Sequence, residues 1–407
     1  MSSVRTRPFR KSELGLIFLL LGDIALRQNA AMYYYSDMHT PLHSVTALAR
    51  FELVGDHLLY AKEVLSHETD WQEWIYQIEL HGLSGFVNKH MDEHKLPIPD
   101  ALVLPLKALK ARHKAASQAR YQSLSEIDTV FKERGIPYVA LKGAALMPYL
   151  FKEGYLRPMR DMDLLLPRST LHKAADCLRD IGFDLPEAQP SKYMRDMHQL
   201  PNATKTVNGL VSSVELHRDG ISREVTGHFY YPESDSNVQT IRWGELSFQA
   251  LEDVQMLHQV TRHLEGLHSG AVLKLINVMD VIGLAEHVRS AGKWPRVEQE
   301  YPHVVNTLRC LHLLTPLPDL LKQQVGKLPD RSPKGVGQIM GSLRAALYRK
   351  TSLIEKLKPL LLPSDWWMHL YYNVDPNKSL FWIKLVRHPM RVSNWLLRRL
   401  YSSLLGG

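Results

Sequence analysis

The sequence predicts an α+β fold in which a small mixed sheet is flanked by N- and C-terminal helical regions. Three observations predict it. Apolar residues recur at helical spacing early in the chain, as in Trp71, Trp74, Ile75, Ile78 and Leu80. After Gly135 the pattern changes to short apolar, partly β-branched runs broken by turn residues. From Leu251 to Val288 helical spacing returns, with Leu257, Val260, Leu264, Leu267, Val272, Leu275, Val278 and Ile282 forming one apolar stripe.

These changes divide the 407 residues into a helical region over 1–123, an α/β core over 124–250, a helical subdomain over 251–330 and a basic, Trp-rich region over 331–407. A proline-marked connection at 95–100 precedes a long amphipathic helix, Asp100 to Arg134, with Gly135 as its C-cap. Ile136 to Leu141 reads as the first strand, interrupted by Lys142-Gly143. Ala144 to Phe151 reads as helix, and Met162 to Leu166 as a second strand stopped by Pro167. Leu171 to Ile181 has helical periodicity and ends before Gly182, and Val211 to His217 is a third strand. Asp330 to Gly337 reads as a loop.

The chain is long enough for two or three domains with real cores. Two cysteines, Cys177 and Cys310, argue against a disulfide framework or a Cys-based zinc site and fit a cytoplasmic location. The formal net charge is +8 and unevenly spread. From Gly341 to Gly407 eleven Lys or Arg stand against three acids, an excess equal to the whole net charge. The rest of the chain is therefore balanced, which weakens a general nucleic-acid-binding reading. No apolar run reaches membrane-spanning length. Leu14 to Gly22, after Arg5, Arg7, Arg10 and Lys11, resembles the start of a signal peptide. Glu13 and Asp23 bracket it and no small-x-small cleavage site follows closely, so secretion is not expected.

The chemistry concentrates in Arg157-Pro158-Met159-Arg160-Asp161-Met162-Asp163. Side chains alternate along a strand, so Asp161 and Asp163 point to one face. Two carboxylates there repel unless a cation lies between them, and a hard ion such as Mg2+ resolves that conflict. Ser213, Glu215 and His217 share a face of a later strand, and Glu215 can complete a set of three carboxylates around Mg2+ or Mn2+. Such a set suits an in-line displacement at phosphorus. Lys142-Gly143 at a strand–helix junction offers a point charge, close backbone approach and free N–H groups to a phosphate. By itself the dipeptide reads better as a tight turn with an exposed lysine. Arg157 and Arg160 bind the β- and γ-phosphates or form surface salt bridges. His217 orients a carboxylate, meets substrate or is a satisfied structural histidine. His258 and His263, five residues apart, do not share a helix face and read as structural. Asp280 reads as a local cap or pair outside the site.

The order L-K-G, then R-P-x-x-D-x-D-L-L, then V-E-L-H resembles the uncharacterised nucleotidyltransferase family of the DNA polymerase β-like superfamily. The resemblance covers roughly Trp71 to Val288, including the lead-in segments IELHGLSGFV and IPDALVLPLKALKAR. It implies a polymerase β-like nucleotidyltransferase core over 124–250 and transfer of a nucleoside monophosphate from an NTP to a hydroxyl or phosphate acceptor, with pyrophosphate release. Asp161 and Asp163 look like the metal-binding pair and Glu215 like the third carboxylate, which in the superfamily helps activate the attacking hydroxyl. Gly143 falls at the second position of the superfamily's Gly-Ser loop. Here the dipeptide is Lys-Gly, so the serine contact to the phosphates is missing and Lys142 is the candidate replacement.

Two features leave alternatives open. A non-catalytic binding or scaffold protein can keep this fold, and an RNA-directed transferase predicts a basic surface running from the tail to the acidic cleft. Leu380 to Leu405 alternates basic and apolar residues at helical spacing, with Trp382 and Trp395 inside it and Trp366 and Trp367 before it. A helix packed on the core with a solvated basic face, an interfacial helix on an anionic membrane and an RNA-binding surface all fit that pattern.

Overall fold

The computed structural model describes residues 42–186, 198–221, 228–232, 234–266, 273–329, 361, 363–394 and 397. The run at 14–22, the expected loop at 330–337, stripe residues Leu267 and Val272, and Trp395, Arg398 and Arg399 lie outside them.

Helices lead into the sheet: α1 (Leu42–Ala47), α2 (Gly55–Ser66), α3 (Trp71–Leu80), α4 (Ser84–Glu93) and α5 (Asp100–Glu133). Helix α3 starts where the Asp70 side chain accepts the Glu73 N–H at 3.0 Å, satisfying a donor that the helix end leaves free. Its Trp74, Ile75 and Ile78 are buried, as the spacing predicts. Helix α5 buries Leu106, Leu109, Leu124, Ile127 and Phe131, and the chain turns away at Gly135 with φ +62°.

Six strands form one mixed sheet in the order β3-β4-β2-β1-β6-β5. They are β1 (Val139–Leu141), β2 (Met162–Leu165), β3 (Ala203–Val207), β4 (Leu210–His217), β5 (Val238–Trp243) and β6 (Leu246–Leu251). The sequence pattern predicts three of these. Strand β1 is shorter than expected and begins two residues after Pro137, which has no N–H for the ladder. Strands β3 and β4 form a hairpin through Asn208-Gly209, both with positive φ as a tight two-residue turn demands. Strands β5 and β6 form a second antiparallel hairpin. Strand β2 pairs antiparallel with β1 and parallel with β4, so the acidic segment lies at the sheet's centre.

Helix α6 (Lys142–Leu146) begins directly at the end of β1, two residues earlier than expected, and continues as a π turn over Met147–Phe151. Helix α7 (Leu171–Asp180) and α5 pack against each other and against β4. Helix α8 (Asp253–Glu265) packs on α6, β6 and α9 (Leu275–Ser290). Beyond them come α10 (Trp294–Glu300), α11 (Pro302–His312), α12 (Asp319–Val325) and α13 (Asp365–Tyr372). Among the described residues no helix is long and apolar enough to cross a membrane.

Candidate active site

Three neighbouring strands build the site by register. Leu141 of β1 pairs with Asp163 of β2, and Asp163 pairs with Glu215 of β4. In-register residues on adjacent strands present their side chains to the same face, so Asp163 and Glu215 stand side by side. Lys142 follows Leu141 at once, and Asp161 lies two residues before Asp163, just ahead of β2. Asp161, Asp163, Glu215, Lys142, Gly143, Arg157 and Arg160 all line one polar cavity of about 520 Å³.

The charges there are coupled. Lys142 Nζ donates to Asp163 Oδ1 at 2.6 Å. His217 Nε2 donates to the same oxygen at 2.8 Å and lies 3.3 Å from Glu215 Oε2. Ligand atoms of Asp163, Glu215 and His217 lie within 4.8 Å of one another, close enough to hold a metal ion. Burial works against the Asp163 charge, but Lys142 and His217 overcome it and hold the carboxyl well below its usual range. Burial also opposes the Glu215 charge, and the His217 bond reverses the balance. His217 is pushed up despite burial, because it bonds both carboxylates. Lys142 stays above the ordinary lysine range, since Asp163 outweighs its burial. Asp161 is outside the three-residue group but feels it. Burial first, then the Asp163 and Glu215 charges, raise its carboxyl. A cluster of acids that lifts one of its own members is an arrangement a cation relieves.

The arginines expected at the phosphates differ from that expectation in their partners. Arg157 is buried and bidentate to Asp280 of α9, Nε to Oδ1 at 2.8 Å and Nη2 to Oδ2 at 2.7 Å. Its Nη1 donates to the Pro158 carbonyl at 2.9 Å. Asp280, which the sequence reading leaves outside, is therefore part of the cavity wall. Arg160 is exposed at the rim. Gly143 is required by close approach: a Cβ there would sit 2.7 Å from Met159 Cγ and 3.2 Å from Arg157 Nη1. Lys142 itself takes φ +46°, a left-handed conformation that side chains resist.

Sequence reasoning missed Lys274, His198 and Gln199, which also line the cavity. Lys274 stands at the N-cap position of α9, and burial, with Arg160 and Arg157 nearby, pushes its ammonium down to about 8. Its backbone is placed by the lead-in segment: the Leu275 N–H donates to His81 Nδ1 at 3.3 Å and the Ile276 N–H to the His81 carbonyl at 3.1 Å. The one signal in the sequence was the lysine that opens Lys274-Leu275-Ile276, a basic residue ahead of an apolar helix. His263 lines the cavity too, whereas His258 bonds His303 at 2.8 Å outside it.

Residues 67–319 match the model of a family described as uncharacterised nucleotidyltransferase, a span of more than half the chain. The solution structure of the antibiotic-resistance factor ANT(2'')-Ia is also similar, at 10% identity over 44% of this chain and 94% of that one, with a TM-score of 0.29. A score that low carries no structural argument. No curated protein matches significantly.

Proposed function

The chain belongs to the uncharacterised nucleotidyltransferase family, and from that premise we propose that it is a Mg2+-dependent enzyme moving a nucleoside monophosphate from an NTP to a hydroxyl or phosphate acceptor. The observation that carries this reading is the pairing of Asp163 with Glu215 across the β2–β4 register, with Asp161 lining the same polar cavity. The donor set fits a hard divalent ion. The metal-sized group is Asp163, Glu215 and His217. Asp161 lines the same cavity and would add a third carboxylate, and the Lys142 ammonium already takes the part of a cation against Asp163. His217 is a donor here, so it orients the carboxylates more readily than it ligates Mg2+. Asp161, Asp163 and Glu215 would hold Mg2+ or Mn2+, and the bound ion supplies charge neutralisation at the phosphates.

In this reading the acceptor oxygen attacks the α-phosphorus in line. The bond to the α-phosphate forms as the bond to the β-phosphate oxygen breaks, and pyrophosphate leaves. Glu215, kept ionised by His217, takes the acceptor proton. Arg160 and Lys274 present positive charge to the β- and γ-phosphates from the cavity rim and the start of α9. Gly143 lets the 157–160 segment lie against the first turn of α6, and Arg157, held by Asp280, keeps that segment in place. Lys142 is the group that turns from Asp163 to the triphosphate when the site is loaded.

The test is label transfer. Purified protein is incubated with radiolabelled NTPs, Mg2+ or Mn2+, and cell extract, beside an Asp161→Ala/Asp163→Ala variant. Transfer by the parent and none by the double variant is expected. Equal transfer by both removes the aspartates from the chemistry.

A further inference from the structure

The helix at 381–394 rests on the molecule by one edge. Leu380, His388 and Val392 are buried there, and Tyr372 Oη of α13 lies 2.8 Å from His388 Nδ1. Arg391 lies 4.0 Å over the Tyr371 ring and Arg387 5.1 Å over Tyr372. The other side is apolar and open to solvent. Phe381, Trp382, Leu385, Val386 and Met390 are 60, 69, 59, 40 and 60% exposed, and Leu397 is 63% exposed.

These residues share a stripe. Trp382, Val386 and Met390 follow at steps of four, and so do Phe381 and Leu385. A four-residue step overshoots one α-helical turn, and the wider π turn at Ile383–Arg387 brings the stripe back into line. Single exposed apolar residues are ordinary, but six clustered within 381–397 are not. Lys378, Arg387 and Arg391 flank the stripe, as does Lys384, which pairs with Asp365 of α13 at 2.7 Å, and residues 376–407 contain six Lys or Arg and no acid.

We propose that this face lies in the interfacial layer of an anionic membrane, with its aromatic and aliphatic side chains among the lipids and its basic flanks against the headgroups. The charge pattern selects this occupant. A second copy docked on the same face would set two acid-free basic segments against each other. Nucleic acid would match the charges and stack on Trp382 or Phe381, but it offers nothing to Leu385, Val386, Met390 and Leu397. The proposal is independent of the nucleotidyl-transfer reading.

Co-sedimentation of the full chain with vesicles tests it, using phosphatidylcholine alone and phosphatidylcholine mixed with phosphatidylglycerol. Binding to the mixed vesicles is expected, weakening with added salt, and Leu385→Glu/Met390→Glu should lower it about tenfold or more. Both substituted side chains are exposed, so the melting temperature should hold. Trp382→Phe should keep most of the binding and remove a lipid-induced blue shift of tryptophan emission. No sedimentation with the mixed vesicles, equal binding by parent and double variant, or a dimer that the double variant abolishes in place of vesicle binding overturns the proposal.

Discussion

Two buried ion pairs face the same cavity and do different work. Arg157–Asp280 is a fork: two parallel bonds between a planar cation and a carboxylate, joining the segment before β2 to α9 across 123 residues of chain. Lys142–Asp163 is a single bond from a flexible stem to an oxygen that His217 also holds. Removing Arg157 leaves the Asp280 carboxylate buried without the partner that opposes its burial. In the second, Asp163 keeps His217, and another cation can replace the ammonium. One pair is therefore scaffold, and in the proposed function the other stands where a metal ion would sit.

The contrast can be broken at its strongest point first. Arg157→Ala should cost about 3–5 kcal/mol of stability, because Asp280 is left buried and unpaired. Chemical denaturation measures this. An Arg157→Met/Asp280→Leu double variant should recover most of the loss, since neither charge then needs a partner; no recovery would mean that the fork does more than neutralise.

Acid titration separates the pairs from a different source of pH dependence. Burial pushes His90 down to about 4 and His113, also beside Arg112 and Arg120, down to about 3, against the pull of the Glu79 carboxylate 3.1 Å from His113 Nε2. Both folded values lie below the unfolded one, so their stabilising contribution is complete above pH 6.5 and is lost as pH falls toward 4 and 3. The slope is about 1.4 kcal/mol per pH unit for each histidine. Denaturant midpoints taken between pH 7 and 5 should fall accordingly, and His113→Gln should flatten part of the fall.

At the Lys142–Asp163 pair the expected effect is smaller and opposite in sign for ligand. Lys142→Ala should cost less metal-free stability than Arg157→Ala, because Asp163 keeps its His217 bond, and should tighten Mn2+ binding about tenfold, because the competing ammonium is gone. Calorimetric titration without nucleotide reads this directly. Weaker Mn2+ binding in the variant would make Lys142 a supporter of the metal and not its rival. Smallest of all, Arg160→Ala at the exposed rim should change stability by no more than about 0.5 kcal/mol while raising the KM for the NTP.

What the sequence showed of this molecule depended on how local each signal was. Alternation along one strand placed Asp161 with Asp163 and Glu215 with His217, and capping chemistry marked the end of α5 at Gly135. These are effects of neighbours in the chain. The Arg157–Asp280 fork is not, and nothing near Asp280 announces its partner. Lys274 stayed hidden for the same reason, since the His81 segment that places it lies far upstream. Strand β3 and the β5–β6 hairpin were missed because Thr, Lys, Gln and Arg occupy their half-exposed faces and dilute the apolar alternation. The Asn208-Gly209 turn was the available signal for the first hairpin. In the tail, tryptophan content alone hid a division that burial makes plain. Trp366 and Trp367 are core residues of α13, whereas Trp382 is open to solvent.

The parallel seam between β2 and β4 has a consequence for how such a protein can change. Asp163 and Glu215 meet because backbone hydrogen bonds count residues along two central strands, and the chain that travels between them plays no part in the count. That excursion, from the end of β2 through α7 and β3, can lengthen, shorten or change its surface without moving either carboxylate. A slip of one residue in the seam, by contrast, would turn Glu215 to the other side of the sheet. The acidic pair is thus held independently of most of that connection, while its stretch at His198 and Gln199, which lines the cavity and bridges to His217, stays tied to the site.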